Sequence, residues 1–118
     1  MKDILSQYEK SQRPWGHFER FTKNQKTTVK ILTLNPNQEF SLQEHEHRTE
    51  FWKIILGDGV VRIGEQEFPA NVGDEFLVEI KNLHRAKAGA DGLKILEISF
   101  GDFDEEDIER VEDDYGRV

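Results

Sequence analysis

Between Ser41 and Gly57 the chain reads Ser-Leu-Gln-Glu-His-Glu-His-Arg-Thr-Glu-Phe-Trp-Lys-Ile-Ile-Leu-Gly, so amide, imidazole and carboxylate groups recur at strand spacing. Side chains two apart on a strand share a face. Gln43, His45 and His47 are therefore expected to project together, with Ser41 beside them. Glu50 opens a second, apolar strand, and Trp52, Ile54 and Leu56 are expected on its face as core. A later histidine, His84, follows the strand-like run from Glu75 to Ile80. Amide oxygens, imidazoles and carboxylates are the donors that borderline divalent ions accept. If a barrel brings these strands together, the groups converge on one ion.

The elements needed to position them are legible as short strand-like runs. These are His17–Thr22, Thr27–Leu34, Glu39–His45, Phe51–Leu56, Val60–Ile63, Gln66–Phe68, Glu75–Ile80, His84–Ala88 and Leu93–Phe100. Asn35-Pro36-Asn37, Gly57-Asp58-Gly59, Asn71-Val72-Gly73-Asp74 and Gly89-Ala90-Asp91-Gly92 read as the turns between them. Many short strands with regular punctuation predict an all-β barrel or sandwich. The 118 residues suit a single domain, with an N-terminal extension over 1–12, a barrel over 13–100 and a tail over 101–118.

The tail has its own character. It carries nine acids against Arg110 and Arg117, a local charge of −7 in a chain whose net charge is −8. The body is thus almost neutral and lacks the basic footprint of a nucleic-acid binder. Asp104 is placed to cap a short helix, with Glu105, Glu106 and Asp107 in its first turn and Ile108, Val111 and Tyr115 on one side. There is no cysteine, which excludes disulfides and thiolate metal sites. The polar N-terminus does not read as a secretory signal, and no run reaches the roughly 18 apolar residues of a membrane span. A soluble cytoplasmic protein is the expectation.

The motif order resembles the cupin superfamily of jelly-roll barrels. Gln43-x-His45, four residues, Glu50, six residues and Gly57 follow the first cupin motif; Gly73 through His84 takes the place of the second. There Glu79 and Lys81 stand where that family has proline and glycine. Together with Arg13-Pro14-Trp15-Gly16, His47-Arg48, Trp52, His84-Arg85 and the ending from Asp107 to Arg117, the pattern looks like type II mannose-6-phosphate isomerase, a cupin often fused behind mannose-1-phosphate guanylyltransferase.

That resemblance implies a double-stranded β-helix holding one divalent ion, zinc first, on Gln43, His45, Glu50 and His84. It implies isomerisation of mannose 6-phosphate and fructose 6-phosphate, a sugar-phosphate partner and a homodimer. His47 would shuttle the proton, while Arg85 and Lys30 would hold the phosphate or enediolate. Arg48 is expected to pair with an acid on the barrel rim, and Trp15 to be structural. The transferase's glycine-rich loop has no counterpart, so no nucleotide chemistry is expected. A silent sugar-binding cupin, or a metal cupin acting on another small molecule, is the alternative.

Overall fold

The structure, a computed structural model, describes residues 3–116; Arg117 of the terminal motif lies outside the described residues. A 3-10 turn at Asp3–Leu5 leads into a hairpin of β1 (Glu9–Arg13) and β2 (Gly16–Arg20). The rest forms one antiparallel seven-stranded sheet: β3 (Thr27–Leu34), β4 (Leu42–Glu44), β5 (Arg48–Ile63), β6 (Gln66–Asn71), β7 (Glu75–Val78), β8 (His84–Gly101) and β9 (Glu109–Glu112). Among the described residues no helix is long and apolar enough to cross a membrane.

The spine is the pairing of β5 with β8, which runs from Arg48 opposite Gly101 to Ile63 opposite His84. Two of the expected turns are absent. Gly57-Asp58-Gly59 and Gly89-Ala90-Asp91-Gly92 do not end strands but lie inside these two long ones, where β5 carries register shifts at Ile54/Leu56 and Gly57/Gly59. The glycines there serve close approach. A Cβ on Gly57 would fall 2.1 Å from the Gly92 carbonyl oxygen, and one on Gly59 would fall 2.0 Å from that of Lys87. The missing side chains let the two strands stay paired through the register shifts.

The same bulge corrects the expected core. Trp52 and Ile54 are fully buried, but Leu56 is 55% exposed because the shift turns it outward. The core comprises Leu34, Trp52, Ile54, Val61, Ala70, Val78, Ala86, Ala88, Leu93 and Ile95. On the sheet's other side, Phe51 is covered by Phe21, with ring centroids 5.5 Å apart. Most of β1 lies in the N-terminal extension over 1–12. Trp15 sits between β1 and β2, 73% exposed.

The tail helix is also corrected. Asp104 caps a turn rather than a helix: its carboxylate accepts from the Glu106 N–H at 2.9 Å, and its carbonyl accepts from the Asp107 N–H at 3.0 Å. The chain then extends as β9 beside β4, and the Tyr115 hydroxyl donates to Gln38 at 2.9 Å. An unfilled strand edge at β4 competes successfully with a short helix whose side chains are mostly acids. The tail becomes a strap across the barrel mouth.

Candidate metal centre

Three strands and one loop bring the donors together. Glu50 lies on β5, two residues before Trp52, so both face inward. His84 opens β8 and stands opposite Gln43 of β4. His45 follows β4 in the loop that leads into β5. One donor atom from each of His45, Glu50 and His84 lies within 4.8 Å of the others, and all three residues are buried. His45 Nε2 is 3.6 Å from Glu50 Oε2, and His84 Nε2 is 3.7 Å from Glu50 Oε1.

The tautomers follow from the carbonyls behind the rings. His45 Nδ1 lies 2.5 Å from the Asp107 carbonyl and His84 Nδ1 lies 2.8 Å from that of Asn82. A carbonyl only accepts, so each Nδ1 carries the proton and each Nε2 turns a lone pair toward Glu50. Burial pushes both imidazoles below their ordinary pKa, His84 to about 4. They are neutral at neutral pH, the state a metal ligand requires. His84 Nε2 is buried with no hydrogen-bond partner. An orphaned lone pair aimed at a carboxylate is unfavourable for a purely structural cluster and suits a cation between the two. The donor set fits a divalent ion.

Gln43 has its side-chain oxygen 2.8 Å from the Ser41 hydroxyl, which donates to it. It lines a cavity of about 210 Å³ together with Lys30, Arg48, Glu97 and Glu105. A carbonyl oxygen has a second lone pair, so the bond to Ser41 leaves Gln43 able to take a further partner.

His47 and Arg85 are elsewhere. β4 ends at Glu44, so the alternation expected through His47 stops short, and the His47 side chain is 70% exposed. Its backbone N–H and that of Glu46 donate to the Asp107 carboxylate at 3.0 and 2.8 Å. Arg85 follows His84 on the strand and takes the opposite face. Its guanidinium is held by the Phe40 carbonyl at 3.2 Å and Glu112 at 3.1 Å. Lys30 does reach the cavity, 3.2 Å from Glu105 and 4.5 Å from the Phe103 ring centre.

Two residues were undervalued in the sequence. Arg48 is not on the rim: it is 6% exposed, with Nε 3.0 Å from Glu50 Oε2 and Nη2 3.1 Å from His45 Nε2. Glu97 is buried on β8, and the Trp52 indole N–H is shared between Glu97 at 3.1 Å and Glu50 at 3.2 Å. Burial, reinforced by the neighbouring Glu50 carboxylate, pushes Glu97 up to about 7. Its signal was present in the pattern: Leu93, Ile95, Glu97 and Ser99 alternate along one strand, a carboxyl on a buried face. Asp107 had no such signal.

An antiparallel barrel with an inward histidine–carboxylate cluster defines a cupin. The fold matches the crystal structure of a cupin protein from Bacteroides fragilis at a TM-score of 0.59 and 19% identity, covering 64% of this chain and 65% of that one. The chain belongs to the family described as Mannose-6-phosphate isomerase C-terminal, whose model matches residues 1–113. It is 36% identical over 108 residues to the alginate biosynthesis protein AlgA of Pseudomonas aeruginosa, covering 90% of this chain and 22% of that protein. It is 34% identical over 107 residues to a mannose-1-phosphate guanylyltransferase of Escherichia coli, covering 89% of this chain and 23% of that protein. The chain thus spans less than a quarter of the length of these relatives.

Proposed function

We propose that this chain is a metal-dependent aldose–ketose isomerase acting on mannose 6-phosphate and fructose 6-phosphate. The observation that carries the reading is the orphaned His84 Nε2, aimed with His45 and Glu50 at one point inside a cupin of the mannose-6-phosphate isomerase family. His45, Glu50 and His84 would hold the ion, with Gln43 as a fourth donor from the cavity side. The mixed nitrogen and oxygen set suits zinc. A bound divalent ion supplies Lewis acidity to the sugar oxygen on which negative charge develops, worth several kcal/mol.

The remaining work falls to the chain's own groups. Moving a proton between C1 and C2 needs an acid–base group that changes state near neutral pH. Glu97 is the candidate: buried beside Glu50, its carboxyl is raised to about 7 in the metal-free chain, and it lines the cavity. His47 is solvent-exposed and turned away from the cluster, so Glu97 is the better carrier. Lys30 stands at the same cavity and suits a sugar phosphate's negative charge.

A coupled assay of the metal-replete chain with the two sugar phosphates tests the reading, and absence of turnover would end it. Metal analysis adds a second measure. The wild-type chain should hold about one ion, and His45→Ala should lose it; full stoichiometry in that variant would refute the ligand assignment.

A further inference from the structure

Among the described residues, Arg48 is the one cation inside the ligand cluster. His45 Nδ1 is committed to the Asp107 carbonyl, so Nε2 has a single lone pair in the ring plane. Arg48 Nη2 donates to that lone pair at 3.1 Å, while its Nε donates to Glu50 Oε2 at 3.0 Å. Two of the three atoms that would grip a divalent ion are therefore bonded to a guanidinium, which is charged at every accessible pH. The His45 lone pair can serve Arg48 or a metal ion, not both. An ion at this point must break the Nη2 bond and then shares the Glu50 carboxylate with a buried positive charge.

The freed guanidinium edge has a defined place to act. Arg48 lines the same cavity of about 210 Å³ as Lys30 and Gln43. Its plane is braced 4.4 Å from the Phe103 ring centre, the ring that Lys30 also approaches, and Nη1 donates to the Asp104 carbonyl at 3.1 Å. Two cations that line the cavity thus flank one aromatic ring; Glu97 and Glu105 line it too, and an anion would take Lys30 from its 3.2 Å pairing with the exposed Glu105. A tetrahedral dianion is the ligand that a planar fork and a nearby ammonium recognise.

We infer that Arg48 has two alternating roles: it caps His45 and Glu50 in the metal-free chain, and with an ion bound it turns its freed N–H, together with Lys30, to a phosphate-like dianion. Metal and anion then favour each other. The ion releases the anion's binding group, and the anion neutralises the charge that opposes the ion. Linkage requires the effect to be equal in both directions. This rests on the reading that His45, Glu50 and His84 hold a divalent ion, and on nothing about the sugar or the reaction.

The test is calorimetric titration of the chelator-treated chain with cobalt(II), in chloride and in sulfate at matched ionic strength. Sulfate is the probe for the dianion. In the wild-type chain sulfate should tighten cobalt binding by about tenfold. Arg48→Met should bind cobalt more tightly than wild type in chloride, and sulfate should then have no effect. Lys30→Met, at a partly exposed position, should weaken the sulfate effect. Cobalt binding in wild type that ignores sulfate overturns the inference alone and needs no variant to be read. A sulfate effect that survives in Arg48→Met does the same. No cobalt binding at all overturns both this inference and the metal centre beneath it.

Discussion

His45 and Asp107 are 62 residues apart in sequence, yet the imidazole Nδ1 of the first lies 2.5 Å from the carbonyl oxygen of the second. The contact fixes the His45 tautomer from the tail rather than from the barrel. Asp107 also holds the loop itself, because its carboxylate accepts the N–H groups of Glu46 and His47. Burial opposes ionisation of that carboxyl, but the two N–H donors outweigh it and keep its pKa below the ordinary value.

Asp107→Ala removes both carboxylate bonds and leaves only the backbone carbonyl behind His45. Groups that orient a metal ligand typically account for tenfold or more in affinity. The expected result is about a tenfold weaker metal affinity with only a modest change in thermal stability, since the carboxylate is near the surface. Titration of the metal-replaced variant reads this directly. An unchanged affinity would show that the carbonyl alone suffices.

Glu97 and His84 make opposite demands on the metal-free chain. A carboxyl raised from 4.5 to about 7 is protonated in the fold and ionised when unfolded between those values, so its contribution falls as pH rises through that window. His84, lowered from 6.5 to about 4, is neutral in the fold while the unfolded chain gains a proton, so its contribution falls as pH drops through that window. The two oppose each other between pH 4.5 and 6.5, and His45, also lowered by burial, adds to the His84 side. Glu97→Gln removes one side. Stability of that variant in chelator should decline steadily from pH 6.5 toward 4, by about 3 kcal/mol from His84 alone. Urea unfolding at several pH values measures it, and a variant profile parallel to wild type would contradict the assignment.

Particular residues separate what the local sequence dictates from what only the fold decides. Glu50, Trp52 and Ile54 followed simple alternation, and they do share a buried face. His47 failed the same rule because β4 stops at Glu44, and nothing in the residues marks that end. The glycine clusters at Gly57–Gly59 and Gly89–Gly92 read as turns because a glycine signals either positive φ or close backbone approach, and a single sequence does not separate the two. The acidic tail satisfied every helix-start rule locally, yet an open edge beside β4 decided its form. Long-range partners such as Asp107 leave no local trace.

The close approach of β5 and β8 gives a sharp mutational contrast. Gly57→Ala places a Cβ 2.1 Å from the Gly92 carbonyl oxygen, at a φ of 77° that disfavours a side chain. Backbone cannot yield as a side-chain tip can, so the expected loss is about 3 kcal/mol or more. Gly64→Ala has a similar φ of 62° but nothing within 4 Å, so only the conformational cost of about 1 kcal/mol remains. Chemical denaturation of both variants should rank them in that order. Equal losses would mean that φ, rather than close approach, sets the cost.

The proton carrier separates the two acid–base candidates most directly. His47 lies on the sequence motif but in solvent, 70% exposed, whereas Glu97 lies off the motif but in the cavity beside the ligand cluster. A group outside hydrogen-bond reach of the substrate cannot move its proton, whatever its ordinary pKa. On the proposed isomerase reading, His47→Ala should therefore leave turnover of mannose 6-phosphate within about twofold of wild type. Glu97→Gln preserves shape and the acceptor for the Trp52 indole but cannot ionise, and should lower kcat by 10²-fold or more, roughly the share general acid–base catalysis supplies. Exchange of the C2 proton with deuterated solvent, followed by NMR, should fall with it. If His47→Ala abolishes that exchange while Glu97→Gln retains it, the loop must close over the cavity during turnover and the assignment reverses.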